Sequence, residues 1–76
     1  MKRYFFDLVS LDRSEYDFRG RECSSLEHAF QIAELIALDL ELRSEGEWSG
    51  WTVKVRNRDG KHLFSVPVRS VDQVAA

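Results

Sequence analysis

Apolar and polar residues alternate near both ends of this chain, whereas in the middle apolar residues recur every three or four positions. The middle stretch therefore predicts one amphipathic helix from Ser24 to Gly46. Ser24 and Glu27 have the spacing of a capping box, and Gly46 is typical of the residue that ends a helix. One set of apolar residues shares a helix face that we expect to pack on a sheet: Leu26, Ala29, Phe30, Ala33, Ile36, Ala37 and Leu40.

The first alternating arm predicts a strand over residues 3–11. We expect its core-facing residues to be Tyr4, Phe6 and Leu8. Asp7 falls on the opposite face, where a carboxylate avoids the cost of burial without a partner. Residues 16–21 predict a weaker second strand at a sheet edge, with Gly20 at a bulge or bend.

The second arm predicts a hairpin of two strands, residues 51–58 and 61–68. Asp59-Gly60 between them is typical of a two-residue type I′ turn. Such a turn sets a register in which the apolar pairs share one face: Val55–Phe64, Val53–Val66 and Trp51–Val68. A one-residue slip would move these side chains to the other face, so the pattern favours this register.

These elements predict an α+β fold in the order β-β-α-β-β. The simplest packing is one four-stranded antiparallel sheet with a single helix on one face. The 76 residues allow one small domain, residues 1–76, with a small core. Residues 70–76 carry no strong pattern.

A second apolar side of the predicted helix has no partner within this fold. Leu35, Leu38 and Leu42 lie opposite the sheet-facing residues, and Phe5 and Leu63 are apolar residues predicted on the open face of the sheet. A contiguous exposed apolar stripe indicates a surface that binds a protein. We therefore expect a homodimer, or a complex with another protein, with these five residues as the candidate interface.

The open face of the predicted hairpin carries a row of basic residues, Lys54, Arg56, Arg58 and Lys61. Such a row is a candidate anion patch, although nucleic-acid-binding sheets combine these charges with stacking aromatic rings. Phe5 is the one aromatic residue expected on this face. Asp7 is expected to form an ion pair with Lys54 or Arg56.

Candidate catalytic and metal-binding residues are few. Cys23 would need a base to act as a nucleophile, and His28 is the nearest candidate. Cys23, His28 and His62 lack the spacing of a metal site. We expect no catalytic residue, no metal, no cofactor and no enzymatic activity.

Charge and cysteine content narrow the possible settings of the protein. The net charge of −2 argues against a general nucleic-acid or membrane-surface protein. The single Cys23 excludes an intramolecular disulfide and favours a reducing compartment. The sequence lacks a signal-peptide pattern and an apolar run long enough to span a bilayer. We therefore expect a cytoplasmic protein without a membrane partner.

Three stretches form a combined pattern: Arg3-Tyr4-Phe5-Phe6-Asp7-Leu8, Ser24-x-Leu26-Glu27-x-Ala29, and Gly50-Trp51-x-Val53-x-Val55-x-x-x-Asp59-Gly60. This pattern resembles a small bacterial family of domains of unknown function, and the resemblance spans nearly the whole chain. The family implies no established activity. A weaker likeness connects the chain with antitoxins of toxin–antitoxin pairs, whose domain also has a sheet and one helix.

The sequence therefore predicts a non-catalytic protein-interaction module that self-associates. The alternative is a nucleic-acid-associated or antitoxin-like regulatory protein that uses the basic face of the hairpin. Concentration-dependent sedimentation distinguishes the first function, and salt-dependent binding to RNA or DNA distinguishes the second.

Overall fold

The computed structural model describes residues 1–43 and 46–69 of the chain. Residues 44–45, near the end of the predicted helix, and residues 70–76 lie outside that description. The elements of the described residues, in chain order, are β1 (Lys2–Val9), β2 (Ser14–Glu15), β3 (Arg21–Cys23), α1 (Leu26–Arg43), β4 (Thr52–Arg56) and β5 (His62–Pro67).

The strand β1 lies in the interior of an antiparallel sheet. It pairs with β4 along one side, and along the other side with β3 near its start and β2 near its end. The strand β5 pairs with β4 and forms the opposite edge. The predicted α+β class, the β-β-α-β-β order and the single helix on an antiparallel sheet are confirmed. Within the described residues, the sheet has five strands rather than the predicted four, because the second strand is divided in two.

The predicted second strand over residues 16–21 is wrong in position. The structure places β2 before this segment, and β3 begins at its last residue. Where the edge is interrupted, Asp17 Oδ2 accepts a hydrogen bond from the Phe6 N–H at 3.1 Å. A side chain therefore satisfies a β1 donor that a continuous neighbouring strand would otherwise satisfy. Gly20, expected at a bulge or bend, lies in this segment with a φ of +73°.

The loop between β4 and β5 differs from the predicted two-residue turn. Asn57 N–H donates to Lys61 O at 2.9 Å, and Gly60 N–H donates to Asn57 O at 3.0 Å. These bonds close a loop of three residues, Arg58, Asp59 and Gly60, so the type I′ turn is wrong. Asn57 Oδ1 also accepts from the N–H groups of Asp59 and Lys61, which favours the longer loop.

The extra loop residue shifts the strand register by one position, and a bulge at Leu63 compensates for that shift. Arg56 pairs with His62, but the next pair is Val55 with Phe64, so Leu63 has no partner in the register. Beyond the bulge, the predicted register is restored. The predicted pairs Val55–Phe64 and Val53–Val66 are confirmed, and Val68 N–H donates to Trp51 O at 2.9 Å.

The helix α1 starts one residue later than its predicted cap. Ser25 Oγ accepts a hydrogen bond from the His28 N–H at 3.0 Å, which makes Ser25 the N-cap. The predicted Ser24–Glu27 capping box is therefore wrong. Ser24 N–H instead donates to His28 Nδ1 at 3.0 Å, so a side chain of the first helical turn binds the residue that precedes the N-cap.

The buried face of α1 is rotated relative to the predicted face. Ile32 is buried, whereas Phe30 is 42% exposed and contacts Phe64 with ring centroids 5.5 Å apart. Phe64 belongs to β5, which forms the edge of the sheet, and no further described strand covers Phe30. Phe30 therefore lies at the margin of the core, and the prediction that it is buried on the sheet-facing side of the helix is wrong. Leu26, also predicted on the core face, is exposed.

The core lies between α1 and one face of the sheet. Three helix alanines, Ala29, Ala33 and Ala37, are almost completely buried, so the helix backbone lies close to the strands. The other buried apolar residues are Tyr4, Phe6, Cys23, Ile32, Leu40, Trp51, Val53, Val55 and Val68. Trp48 packs against this cluster and meets Trp51 edge to face, with centroids 4.8 Å apart.

Candidate functional site

The outer side of α1 carries three exposed leucines, named here the leucine face: Leu35, Leu38 and Leu42. They are 64%, 48% and 72% exposed, while the opposite side of the same helix is buried against the sheet. Their spacing of three and four residues places them in one stripe along the helix. The prediction that these residues lie away from the core is therefore confirmed in its geometry.

Charged residues border the leucine face on both sides. Asp39 and Arg43 form an ion pair of 2.9 Å on one side. Glu34 and Glu41 lie on the other side, and Glu41 Oε2 accepts a hydrogen bond from the Arg69 N–H at 3.2 Å. An apolar centre with a charged rim is the usual composition of a protein-binding patch.

Phe5, one of the candidate interface residues, packs within its own chain. The Arg56 guanidinium lies over its ring at 4.6 Å from the centroid. The other contact is Gly20, where a Cβ atom would lie 2.8 Å from Phe5 Cε2. Phe5 is half-buried between these residues, on the face of the sheet opposite α1. It is therefore separate from the leucine face.

Leu63, the last candidate interface residue, packs against the core. Its predicted place on the open face of the sheet is wrong, because the bulge at Leu63 removes it from the normal alternation of the strand. The same bulge leaves His62 and Ser65 close together, with His62 Nε2 and Ser65 Oγ 2.8 Å apart.

A network of charged groups joins β1, β4 and the segment between β2 and β3. Arg56 Nε donates to Asp7 Oδ2 at 2.7 Å, and Arg56 Nη2 donates to Asp7 Oδ1 at 3.3 Å and to the Asp17 carbonyl at 2.9 Å. Asp7 Oδ1 also accepts from the Asp17 N–H at 2.8 Å. The hydrogen bond to Asp7 raises the pKa of Arg56 above its ordinary value. The predicted ion pair of Asp7 is confirmed with Arg56 as the partner.

The Asp17 carboxylate holds the irregular segment in place. It accepts hydrogen bonds from the N–H groups of Phe6, Arg19 and Gly20 at 3.1, 3.0 and 2.9 Å. Burial alone would raise the pKa of Asp17, but the bonds from Gly20, Phe6 and Arg19 together outweigh that effect and hold its pKa below the ordinary value.

The four residues of the predicted anion patch have different surroundings in the structure. Arg56 is occupied by Asp7, Asp17 and the Phe5 ring. Lys54 is exposed on the open face, whereas Arg58 and Lys61 are exposed at the hairpin loop. Three residues of the predicted patch are therefore exposed, and the fourth, Arg56, is held by other groups of the chain.

The three candidate residues for chemistry are placed in different environments. Cys23 is fully buried with a free thiol, and burial raises its pKa despite the nearby positive charge of Arg21. His28 binds Ser24, and His62 binds Ser65. Within residues 1–43 and 46–69, no group of three or more His, Cys, Asp or Glu residues is arranged to hold a metal ion.

The chain matches the family described as Domain of unknown function (DUF6894) over residues 3–69. It belongs to this family. No curated protein matches the chain, and no solved structure matches it. Among the residues that the structure describes, no helix of this DUF6894 member is long and apolar enough to cross a membrane.

Two residues of this DUF6894 domain have a structural role that the sequence analysis missed. Asp17 and Gly20 were expected within a weak strand, but together they form the interruption of the sheet edge. An Asp followed three residues later by a Gly is itself a turn signal, because the carboxylate can accept from the N–H groups that follow it. That signal could have separated β2 from β3 in advance.

Proposed function

We propose that this protein is a non-catalytic interaction module that self-associates through the leucine face of α1. The observation that supports the proposal is the exposure of Leu35, Leu38 and Leu42 on a helix whose other side is already buried against the sheet. Isolated exposed leucines are ordinary, but a stripe of three at helical spacing makes a continuous apolar surface.

A second copy of the chain is the occupant that this surface fits best. Most soluble oligomers are symmetric, and a two-fold axis near Leu38 would bring the leucine face against itself in an antiparallel helix pair. Each leucine fully removed from water contributes up to about 1.5–3 kcal/mol, and three come from each copy. That sum is of the same order as the roughly 4–15 kcal/mol that association costs, so a dimer of moderate affinity is expected.

The test is sedimentation of the wild type and two matched variants from low to high micromolar concentration. Leu38→Glu places a charge at the centre of the leucine face and is expected to give a folded monomer. Leu11→Glu introduces the same charge at a leucine that is fully exposed and far from α1 in the chain, and it should self-associate like the wild type. Circular dichroism checks that both variants keep their folded structure.

A wild type that remains monomeric at high micromolar concentration would refute self-association. A dimer that survives Leu38→Glu but is lost in Phe30→Glu would refute the leucine face. In that case the contact would lie at the β5 edge, where Phe30 and Phe64 meet.

The second candidate function is nucleic-acid binding or an antitoxin-like role. Its support is the exposure of Lys54, Arg58 and Lys61, but Arg56 is paired with Asp7 and its guanidinium covers the Phe5 ring. Mixed-sequence RNA and DNA should be bound at low salt and released steeply as the salt concentration rises. Loss of that binding in Lys54→Gln would support this role, and the absence of binding at low salt would reject it.

The setting of the protein forms part of the same proposal. A bacterial origin follows from the resemblance of its sequence pattern, and a cytoplasmic location is supported by the buried free thiol of Cys23. The proposal of no enzymatic role is supported by the structural environments of the three residues: Cys23 is buried, His28 binds Ser24, and His62 binds Ser65.

A further inference from the structure

An open cavity lies at the end of the sheet where the β4–β5 loop meets the start of α1. Its volume is 560 Å³, within the range of about 300–1,000 Å³ that small-molecule sites occupy. The lining residues relevant to binding are Lys2, Tyr4, Leu26, Arg58, Asp59 and Leu63. This cavity is distinct from the leucine face, which lies on the outer side of α1.

Tyr4 gives the cavity a polar group without an internal partner. The residue is 7% exposed, and its hydroxyl forms no hydrogen bond with any residue in the described part of the chain. No fully buried side-chain oxygen of the described residues lacks a partner, so this hydroxyl must reach open space. Tyr4 is among the residues that line the cavity. A buried tyrosine ring with an unpartnered hydroxyl is the usual arrangement when that hydroxyl contacts a ligand or water.

The rim of the cavity is cationic. Lys2 and Arg58 contribute two positive charges and Asp59 contributes one negative charge, so these side chains make the rim net positive. Arg3 also lines the cavity, but its guanidinium binds the Arg19 carbonyl and the Glu22 carboxylate on the other side of β1. The charge of the rim therefore favours an anionic ligand.

The wall of the cavity is apolar. Leu26 at the start of α1 is half-exposed, and Leu63, at the bulge, packs against the core and lines the same cavity. The bulge thus supplies an apolar side chain at a position where regular alternation would direct it to the opposite face.

We propose that this cavity binds a small organic anion with an apolar body, such as an aromatic or aliphatic carboxylate. The apolar body packs on Leu26, Leu63 and the Tyr4 ring. The carboxylate lies between Lys2 and Arg58 and accepts a hydrogen bond from the Tyr4 hydroxyl. This proposal is independent of self-association, because it uses none of the residues of the leucine face.

The first experiment is a titration of the whole chain with phenylacetate, followed by amide proton–nitrogen correlation spectra. Phenylacetamide, which has the same apolar body without the charge, is the matched ligand. Phenylacetate is expected to produce saturable shifts of the amide signals of Tyr4, Asn57 and Arg58, with an affinity about tenfold or more above that of phenylacetamide. Its affinity should fall as salt is added, because an exposed rim is screened.

Two variants distinguish the contribution of the Tyr4 hydroxyl to binding from that of the Lys2 charge. Tyr4→Phe keeps the ring and removes the hydroxyl, and Lys2→Gln removes one rim charge on an exposed residue. Each should weaken phenylacetate binding by about fivefold or more. Lys2→Gln should leave phenylacetamide binding unchanged, because the amide carries no charge. Lys54→Gln removes the same charge on the opposite face of the sheet and should bind phenylacetate like the wild type.

The proposal is overturned if phenylacetate gives no saturable shifts, or if phenylacetamide binds equally well. It is also overturned if Lys2→Gln and Lys54→Gln have the same affinity. Because Tyr4 is buried, the affinity of Tyr4→Phe is interpreted only if the rest of its spectrum matches that of the wild type. If Tyr4→Phe unfolds, the affinity of Lys2→Gln decides the outcome, because Lys2 is exposed.

Discussion

Arg56 and Asp7 are joined by two hydrogen bonds, of 2.7 and 3.3 Å, although they lie 49 positions apart in the chain. The Asp7 side chain is 7% exposed and that of Arg56 is 26% exposed. The pair connects β1 to β4 on the face of the sheet opposite α1. Removing Arg56 leaves the buried Asp7 carboxylate without its charged partner, with the Asp17 N–H as its remaining donor among the described residues.

Arg56→Met is therefore expected to lower the free energy of unfolding by about 3 kcal/mol. Lys54→Met is the matched control, because Lys54 is exposed on the same strand and stands opposite Asp7 in the register. Its effect should stay within about 0.5 kcal/mol. Urea melts of both variants give the comparison, and equal losses would show that the ion pair contributes little to stability.

Asp17→Asn tests the carboxylate that holds the interrupted sheet edge. The lowered pKa of Asp17 means that the folded state favours the ionised form, so its contribution is complete above the ordinary pKa of 3.8. That contribution is lost as the pH falls below 3.8 and through the lower pKa of the folded state. An asparagine directs its NH₂ group at a backbone donor, which should cost about 1–3 kcal/mol at neutral pH.

Unfolding of wild type and Asp17→Asn should therefore be compared at neutral pH and at about pH 3. The difference in stability between them is expected to narrow at the acidic pH. Asp59→Asn, in the exposed hairpin loop, is the control and should change stability by less than about 0.5 kcal/mol at neutral pH. A difference for Asp17→Asn that is the same at both pH values would contradict the role of the charge.

Gly20→Ala should lower the free energy of unfolding more than Gly50→Ala does. Both glycines have positive φ, +73° and +87°, so both substitutions carry a conformational cost of about 1–2 kcal/mol. At Gly20 the added Cβ would also lie 2.8 Å from Phe5 Cε2 and 2.9 Å from Arg3 Cγ, whereas at Gly50 it meets nothing within 4 Å. We expect Gly20→Ala to cost at least about 1 kcal/mol more in chemical melts. Equal costs would mean that Phe5 moves freely.

Ile32→Ala and Phe30→Ala test which side of α1 faces the core. Ile32 is 8% exposed, and its truncation should cost about 2–5 kcal/mol. Phe30 is 42% exposed, and its truncation should cost about 1 kcal/mol, mainly through the lost ring contact with Phe64. The reverse order in thermal or urea melts would restore the helix face that the sequence pattern predicts.

Features set by local periodicity could be predicted from the sequence. Apolar spacing can be seen in the sequence without any tertiary information. It predicts the helix, the hairpin register and the outward position of Leu38. Burial that depends on where the sheet ends could not be predicted in this way. Phe30 and Ile32 both lie within a broad apolar arc of the helix, and which of them is buried depends on β5 being the edge strand.

The errors at turns have a similar origin. Ser24 and Ser25 are both suitable caps, and the His28 side chain, which binds the Ser24 N–H, decides between them. Asp59-Gly60 is compatible with a two-residue or a three-residue loop, and the Asn57 side chain favours the longer one. Such side-chain bonds to the backbone are worth only about 1 kcal/mol each, so the apolar pattern does not reveal them.

The interior position of β1 has a consequence for how the native state is reached. β1 pairs with β4 between Val9 and Thr52 at one end and between Phe5 and Arg56 at the other, so a long loop that contains α1 must close first. The β4–β5 hairpin joins near neighbours and needs no such closure. During synthesis β1 leaves the ribosome well before β4 exists, and its apolar residues remain uncovered during that interval. We expect the yield of native protein in a cell to depend on the length of that interval and on chaperones.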